Sequence, residues 1–424
     1  MPDADSPGRL DRRSFLKAVG GAASVLLAPA LLRSSAAPPA PAPASPLNIG
    51  LLLPSPTRYP QLGANLLAGM QLALERPGAR PLRLLVEDYG VSPGMALAQT
   101  RALIEQAHVD LVLSTVSAST AALIAGLLLE RQVPLVAASA GANIPRRNRE
   151  SPFIVRSSLS YWQSSYALGA WAARSLGRRA FIATSFYDSG YDANYAFRLG
   201  FERAGGQIAD MHVSHRPIDT AGLAPMVAAI TAARPDVVYA AYCGHEAVEF
   251  VRAYAAAGLS VRIPLLGSGF LADEHILPEQ GEAALGIRTA LPWVPGLDSA
   301  PHRAFAQAFT ARTGRPADAF AALGFDTARL LSEGLADPGV NPHDPERLLQ
   351  ALGAAAFDGP RGHVTVDIAA RSATGPIYLR EVRRGPQGLR NVALAELPYP
   401  TEDERLAAVR TSALSGWQNA YLSI

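Results

Sequence analysis

Between residues 48 and 266 the chain alternates short, continuously apolar runs with longer segments whose apolar residues recur at helical spacing. The short runs are Asn48–Leu53, Leu82–Val86, Val109–Leu113 and Val133–Ala137, with helical segments at Leu62–Leu74, Met95–Ala107 and Ala121–Leu129 between them. Strands without a polar face must be covered on both sides, which requires parallel sheets with helices on each face. A second series begins after Arg156, with helical segments at Tyr161–Leu176, Asn194–Ala204, Leu223–Ala233 and Ala247–Ala257. Its strand-like runs are Ala180–Thr184, Gln207–Val213, Val237–Ala241 and Ile263–Leu266. The alternation predicts an α/β fold with two doubly wound parallel sheets, one before about residue 158 and one after it.

The N-terminal region has a different character. D-R-R-S-F-L-K at Asp11–Lys17 resembles the twin-arginine export signal, with Arg12 and Arg13 as the pair and Asp11 where Ser or Thr is usual. The apolar stretch Ala18–Leu32 is too short to span a bilayer as a stable helix. Small residues at Ser34–Ala37 have the spacing of a peptidase site, and Pro38–Pro46 is a semi-rigid Ala/Pro tract. We therefore expect a cleaved signal over residues 1–37, a linker over 38–46, and delivery to the periplasm by the twin-arginine translocase. Cys243 is the single cysteine, so no thiol at the cleavage point can carry a lipid and no internal disulfide can form. No second apolar stretch reaches about 18 residues, so no stable membrane anchor is expected.

Composition narrows the function. Roughly 380 residues after the signal suit about two domains, and 49% hydrophobic against 17% charged residues allows a large core. The net charge of +2 is accounted for before Pro38, where five basic residues face three acidic ones. A near-neutral mature chain offers no basic face for nucleic acid. ATP and NAD pools are absent outside the cytoplasm, and the first strand runs into P-S-P-T-R-Y-P rather than a glycine-rich turn. G-S-G at Gly267 lacks the nucleophile elbow, and His245-Glu246 lacks a second histidine at zinc spacing. The chain is expected to be no enzyme and to need no cofactor, a hydrolase using Ser117 or Ser139 being the enzymatic alternative.

Several collinear segments carry a family resemblance. They are N-I-G-L-L-L-P at Asn48, L-R-L-L-V-E-D-Y at Leu82, V-P-L-V-A-A-S-A at Val133, P-F-I-V-R-S-S at Pro152 and Y-D-S-G-Y at Tyr187. R-P-D-V-V-Y-A-A-Y at Arg234, P-L-L-G-S-G-F-L-A-D at Pro264 and A-F-A-A-L-G-F-D-T-A-R-L-L at Ala319 continue the series. Over about residues 47–395 the chain resembles the substrate-binding proteins of branched-chain amino-acid ABC transporters, the leucine/isoleucine/valine-binding type. The resemblance implies a type I periplasmic binding fold, two lobes joined by three crossings with a ligand cleft between them. It places residues 47–158 plus 292–373 in the first lobe and 159–291 plus 374–396 in the second. It also implies a small-molecule ligand, an amino acid, amide or small or aromatic carboxylate, captured by lobe closure and passed to permease subunits. A sensory or regulatory ligand receptor of the same fold is the alternative use.

Candidate ligand contacts follow the same order. S-T-V-S-A-S-T from Ser114 to Thr120 joins a strand to a helix, where hydroxyls sit beside unpaired N–H groups and the positive end of the helix dipole. By the resemblance, Ser117 or Ser119 holds the ligand carboxylate there. Ser139, Ala140 and Gly141 fall where the family contacts the ligand's polar end, with Gly141 replacing a usual Thr. Tyr191 and Tyr242 stand at two cleft-tyrosine positions, Trp162 beside Tyr161 at the cleft mouth, and Tyr59 in the first strand-to-helix loop. Gly269 stands where amino-acid binders carry the acid that pairs with the ligand ammonium. Unless Asp188, Glu246 or Asp273 replaces that acid, the ligand has no α-ammonium. Residues 397–424 form an extension, with T-E-D-E at Thr401–Glu404 opening a predicted helix through Leu414.

Overall fold

The run L-N-I-G-L-L-L forms β1 (Leu47–Leu53), buried at six of its seven positions because parallel strands flank it on both sides. The computed structural model describes residues 46–401, except 57–60, 77–80, 91, 117, 140–153, 186–187, 215–217, 219, 338, 369–370 and 387. The side chains of 118–119, 122, 188–192, 220–222 and 345 also fall outside the description. The signal, its Arg12 and Arg13, the linker and residues 402–424 lie outside the described residues.

The first lobe continues with α1 (Leu62–Leu74), β2 (Leu82–Asp88), α2 (Pro93–Glu105), β3 (Leu111–Ser114), α3 (Ala118–Arg131), β4 (Leu135–Ser139) and β5 (Ile154–Ser158). The second lobe is built of α4 (Tyr161–Ser175), β6 (Arg179–Ser185), α5 (Asp188–Arg203), β7 (Gln207–Ser214), α6 (Thr220–Ala233), β8 (Val237–Ala241), α7 (Gly244–Ala256), β9 (Leu265–Gly267), α8 (Leu277–Gln280) and β10 (Arg288–Leu291). The chain then returns to the first lobe as α9 (Ala300–Thr313), α10 (Ala319–Gly334), α11 (Pro345–Gly353), β11 (Phe357–Gly359), β12 (Gly362–Asp367) and β13 (Ser372–Thr374). It crosses once more into β14 (Ile377–Gly385) and β15 (Gly388–Leu397).

The first sheet has the order β11-β12-β13-β5-β4-β3-β1-β2 and the second β15-β14-β10-β9-β8-β6-β7. This is the two-lobed α/β architecture expected from the alternation, with three crossings between the sheets. One edge of each sheet departs from the expected parallel pairing: β11, β12 and β13 pair antiparallel, and so do β10, β14 and β15. Tight turns such as R-R-G-P-Q-G after β14 permit only antiparallel neighbours.

Each lobe has one helix pair in unusually close contact. An added Cβ at Gly69 on α1 would collide with the Ala321 carbonyl oxygen on α10, and one at Gly324 with the Leu66 carbonyl oxygen. In the second lobe, Gly169 on α4 and Gly200 on α5 stand in the same relation to the carbonyls of Phe197 and Tyr166. The crossings are pinned by buried polar groups. Arg361 pairs with Asp326 at 2.6 Å and donates to the Ser158 carbonyl at 2.9 Å, while its own carbonyl accepts from the Tyr378 hydroxyl at 2.9 Å.

Candidate functional site

The loop from Ser268 to Ile276 leaves β9 in the second lobe and meets the N-terminus of α10 in the first. Phe270 is the point of contact. Its ring stacks on Tyr161 of α4 with centroids 5.6 Å apart and on Phe320 of α10 at 5.8 Å. It packs against the apolar cores of both lobes. Three aromatic rings thus line the junction in a row, two from one lobe and one from the other.

Gly269, immediately before Phe270, stands in a space that the Leu291 side chain fills. A Cβ there would come within 2.5 Å of Leu291 Cδ1 and 3.1 Å of the Ala290 carbonyl. An acid at this position would require the Leu291 side chain to turn aside and would crowd the Ala290 carbonyl. The Gly269 carbonyl instead accepts from Arg380 Nη2 at 2.6 Å. Arg380 is fully buried on β14, and also donates to Thr289 Oγ1 at 3.0 Å and to the Trp293 carbonyl at 3.1 Å. It therefore ties the loop to the crossing strand. Nothing in I-Y-L-R-E-V-R-R-G distinguishes this arginine from its exposed neighbours, so it escaped the sequence reading.

Asp273 and Glu274 follow in the same loop. Burial pushes the Asp273 carboxyl up, but the hydrogen bond from His275 Nδ1 at 2.9 Å and the positive charges of His275 and Arg380 hold it below the usual carboxylate range. Glu274 is pushed up to about 7 by burial and by the charge of Asp273, and accepts from Asn391 Nδ2 at 2.7 Å. His275 is raised by its Asp273 bond, with the charge of Asp318 adding to the effect. Asp318 caps α10, its Oδ1 accepting from the Ala321 N–H and its Oδ2 from Asn65 Nδ2, both at 2.8 Å.

These contacts bear on which acid could meet a ligand ammonium. Asp273 is compensated by His275 and Arg380 from within the protein. Glu246 accepts the Ile218 N–H at 3.1 Å, and the side chain of Asp188 is outside the description.

The expected contact residues are distributed as follows. Ser139 ends β4, half-buried, its carbonyl accepting from the Leu159 N–H at 3.1 Å. Ser119 stands in the first turn of α3 and Tyr191 in α5, their side chains outside the description. Tyr59, Ser117, Ala140 and Gly141 lie outside the described residues. Trp162 is buried and stacks on Tyr166 at 5.4 Å, in a small cluster with Ala196 of α5. Tyr242 packs in the second lobe's core, its ring against Phe250 at 5.0 Å and its hydroxyl 3.4 Å from Ser214 Oγ; burial raises its pKa. The sequence reading did not single out Phe270 or Phe320, although F-L-A-D-E-H directly after G-S-G combines an aromatic with three titratable residues.

Known proteins share this fold. A curated relative, the Leu/Ile/Val-binding protein homolog 6 of Brucella melitensis, is 26% identical over 351 residues, 81% of this chain and 89% of the relative. An ABC transporter substrate-binding protein from Sphaerobacter thermophilus superposes with a TM-score of 0.76 at 30% identity, covering 84% of this chain and 98% of that one. A solute-binding protein of an R. palustris ABC transporter, solved in complex with benzoate, gives 0.73 at 30% identity, covering 85% and 98%. No helix among the described residues is long and apolar enough to cross a membrane. The periplasmic binding protein family matches residues 46–387, and the chain belongs to that family.

Proposed function

We propose that this protein captures a small aromatic carboxylate between its lobes outside the cytoplasm and delivers it to the permease of an ABC transporter. The observation that carries the proposal is the Ser268–Ile276 loop. It presents Phe270 to the opposite lobe and leaves no side chain at Gly269, while its Asp273 is neutralised by Arg380 and His275. A planar ring finds aromatic partners there, and the loop's Asp273 is already compensated from within the protein. The benzoate bound to the R. palustris neighbour supports the same class of ligand. In this scheme the hydroxyls of Ser117, Ser119 and Ser139 receive the carboxylate beside the start of α3, where the helix dipole favours an anion. Export by the twin-arginine translocase, directed by Arg12 and Arg13, belongs to the same proposal.

Calorimetric titration tests it. Benzoate should bind with a Kd of about 10 μM or tighter, corresponding to about 7 kcal/mol, and leucine should give no heat of binding. Phe270→Ala should weaken benzoate about fivefold, consistent with the ~1 kcal/mol value of an aromatic pair beyond its area. Tight leucine binding with silence toward benzoate would overturn the proposed ligand class.

A further inference from the structure

The third crossing borders a groove of about 380 Å3 that shares no residue with the aromatic junction. Its volume falls within the range of small-molecule sites. The floor is one face of the β12–β13 pair. Thr365 stands in register with Thr374 and Asp367 with Ser372, so these four side chains share that face, while Val364 and Ala373 point the other way into the first lobe's core. The two threonine hydroxyls are bonded to each other at 3.0 Å, and His363 beside them has one ring nitrogen 2.8 Å from Asp358. The opposite wall belongs to the second lobe, with Gln163 from the first turn of α4 and Tyr399 from the chain leaving β15. Tyr399 packs on the second lobe's core, its hydroxyl 3.4 Å from Ser160 Oγ of the first crossing. Gln163 is the informative residue. It is only 7% exposed, and its Oε1 is buried and accepts no hydrogen bond among the described residues. An acceptor left unpaired in this way costs about 1–3 kcal/mol. Tyr161 and Gln163 lie two residues apart on α4, about 200° around the helix. The first enters the aromatic junction and the second lines the groove, so one helical turn serves both places.

We propose that this groove is a second binding site, for a small neutral polyhydroxylated molecule the size of one sugar ring, held between the lobes at the third crossing. The lining selects this class. An anion would meet the Asp367 carboxylate, and a cation would leave the donor hydroxyls without acceptors. A wholly apolar guest would leave Gln163 unpaired as it is now. A sugar hydroxyl both donates and accepts: one supplies the proton that Gln163 Oε1 lacks, and another meets the Thr365–Thr374 pair, whose accepting member still has a proton to give. Val366 and the Tyr399 ring add apolar surface for the C–H face of the ring. Because the two walls belong to different lobes, a bound guest favours the lobe angle at which both reach it, and its affinity is coupled to that of the cleft ligand. The coupling, though not the site, rests on the proposal that capture proceeds by lobe closure.

Saturation-transfer NMR on the ligand-free protein tests the site with three probes, glucose, xylose and myo-inositol. At least one should bind with a Kd of about 1 mM or tighter. Gln163→Leu and Thr374→Val keep the side-chain shape and remove the polar atom, and each should weaken that binding about fivefold, the loss of one hydrogen bond. As benzoate is raised, the apparent Kd of the sugar should shift and then level off. A shift that grows without limit means that the sugar occupies the cleft, and overturns the inference. Absence of binding by all three probes overturns it too, as does binding that both variants leave at wild-type strength, the groove then holding water alone. A sugar Kd untouched while benzoate itself binds overturns the coupling. If benzoate does not bind, titration of the ligand-free protein still decides the site, so failure of the cleft ligand class and failure of the groove remain distinguishable.

Discussion

Replacing Arg380 by methionine should remove about 3–5 kcal/mol of stability, the cost of deleting one partner from a buried charge network, and should abolish benzoate binding along with it. Methionine matches the stem in length but donates nothing. Thr289 Oγ1 and the carbonyls of Trp293 and Gly269 lose their donor, and Asp273 and Glu274 lose the cation behind them. The Gly269 carbonyl holds Phe270 in place, so the loop and its aromatic contact shift together. The sign of the pH effect separates this cause from simple loss of packing. Without Arg380 the two carboxyls titrate higher in the folded protein than in the unfolded chain. Their penalty is then small at low pH and grows as pH rises through the folded values. Urea denaturation followed by circular dichroism should therefore show a larger loss at about pH 8 than at about pH 5. Arg380→Lys should fall between, since one ammonium replaces the charge but cannot span three acceptors. An unchanged midpoint in Arg380→Met would refute this account of the network.

The lobes were legible in the sequence because their strands are apolar on both faces. L-N-I-G-L-L-L and V-V-Y-A-A admit few alternatives to buried parallel strands, and both occupy sheet interiors. The antiparallel edges were not legible. Phe357–Gly359 and Ser372–Thr374 are three residues each, too short for periodicity to register, even though their antiparallel partner β12 is adjacent in the chain. The site divides in the same way. Gly269 was conspicuous as a missing acid, because an absence from a motif is visible in one dimension. The reason for it, Leu291 filling the space, is a contact between the loop and the second crossing. Trp162 and Tyr242 look like cleft aromatics by position, yet each packs within the second lobe, whereas Phe270 reaches across. Which of several aromatics leaves the core is decided by loop geometry and not by residue type. Arg380 is the extreme case, because its burial is supported by acceptors contributed from two separate stretches of the chain, Gly269 and Thr289–Trp293.

Gly324→Ala should lower stability by about 3 kcal/mol, at the upper end of the usual range for overpacking, although alanine is the better helix former. The new methyl meets no flexible side chain. It meets the Leu66 carbonyl and Cα of α1, backbone that is itself fixed by the helix, so α1 and α10 must separate along their contact. Separation opens voids beside Leu66, Met70 and Leu323, all fully buried, and adds a cavity term to the strain. Gly200→Ala should behave alike in the second lobe, where the methyl meets the Tyr166 carbonyl. Gly126→Ala supplies the control: it lies on exposed α3 surface with nothing within 4 Å of the added Cβ, and should gain up to about 1 kcal/mol from helix propensity. The two damaging changes should differ in function. Displacing α10 moves Asp318 and Phe320, the first lobe's contributions to the junction, so Gly324→Ala should weaken benzoate binding at temperatures where the protein is still folded. Gly200→Ala leaves that helix in place, and its binding loss should track its unfolding alone. Equal affinity losses in both variants under folded conditions would show that the glycine contact between α1 and α10 serves stability and has no part in positioning the cleft.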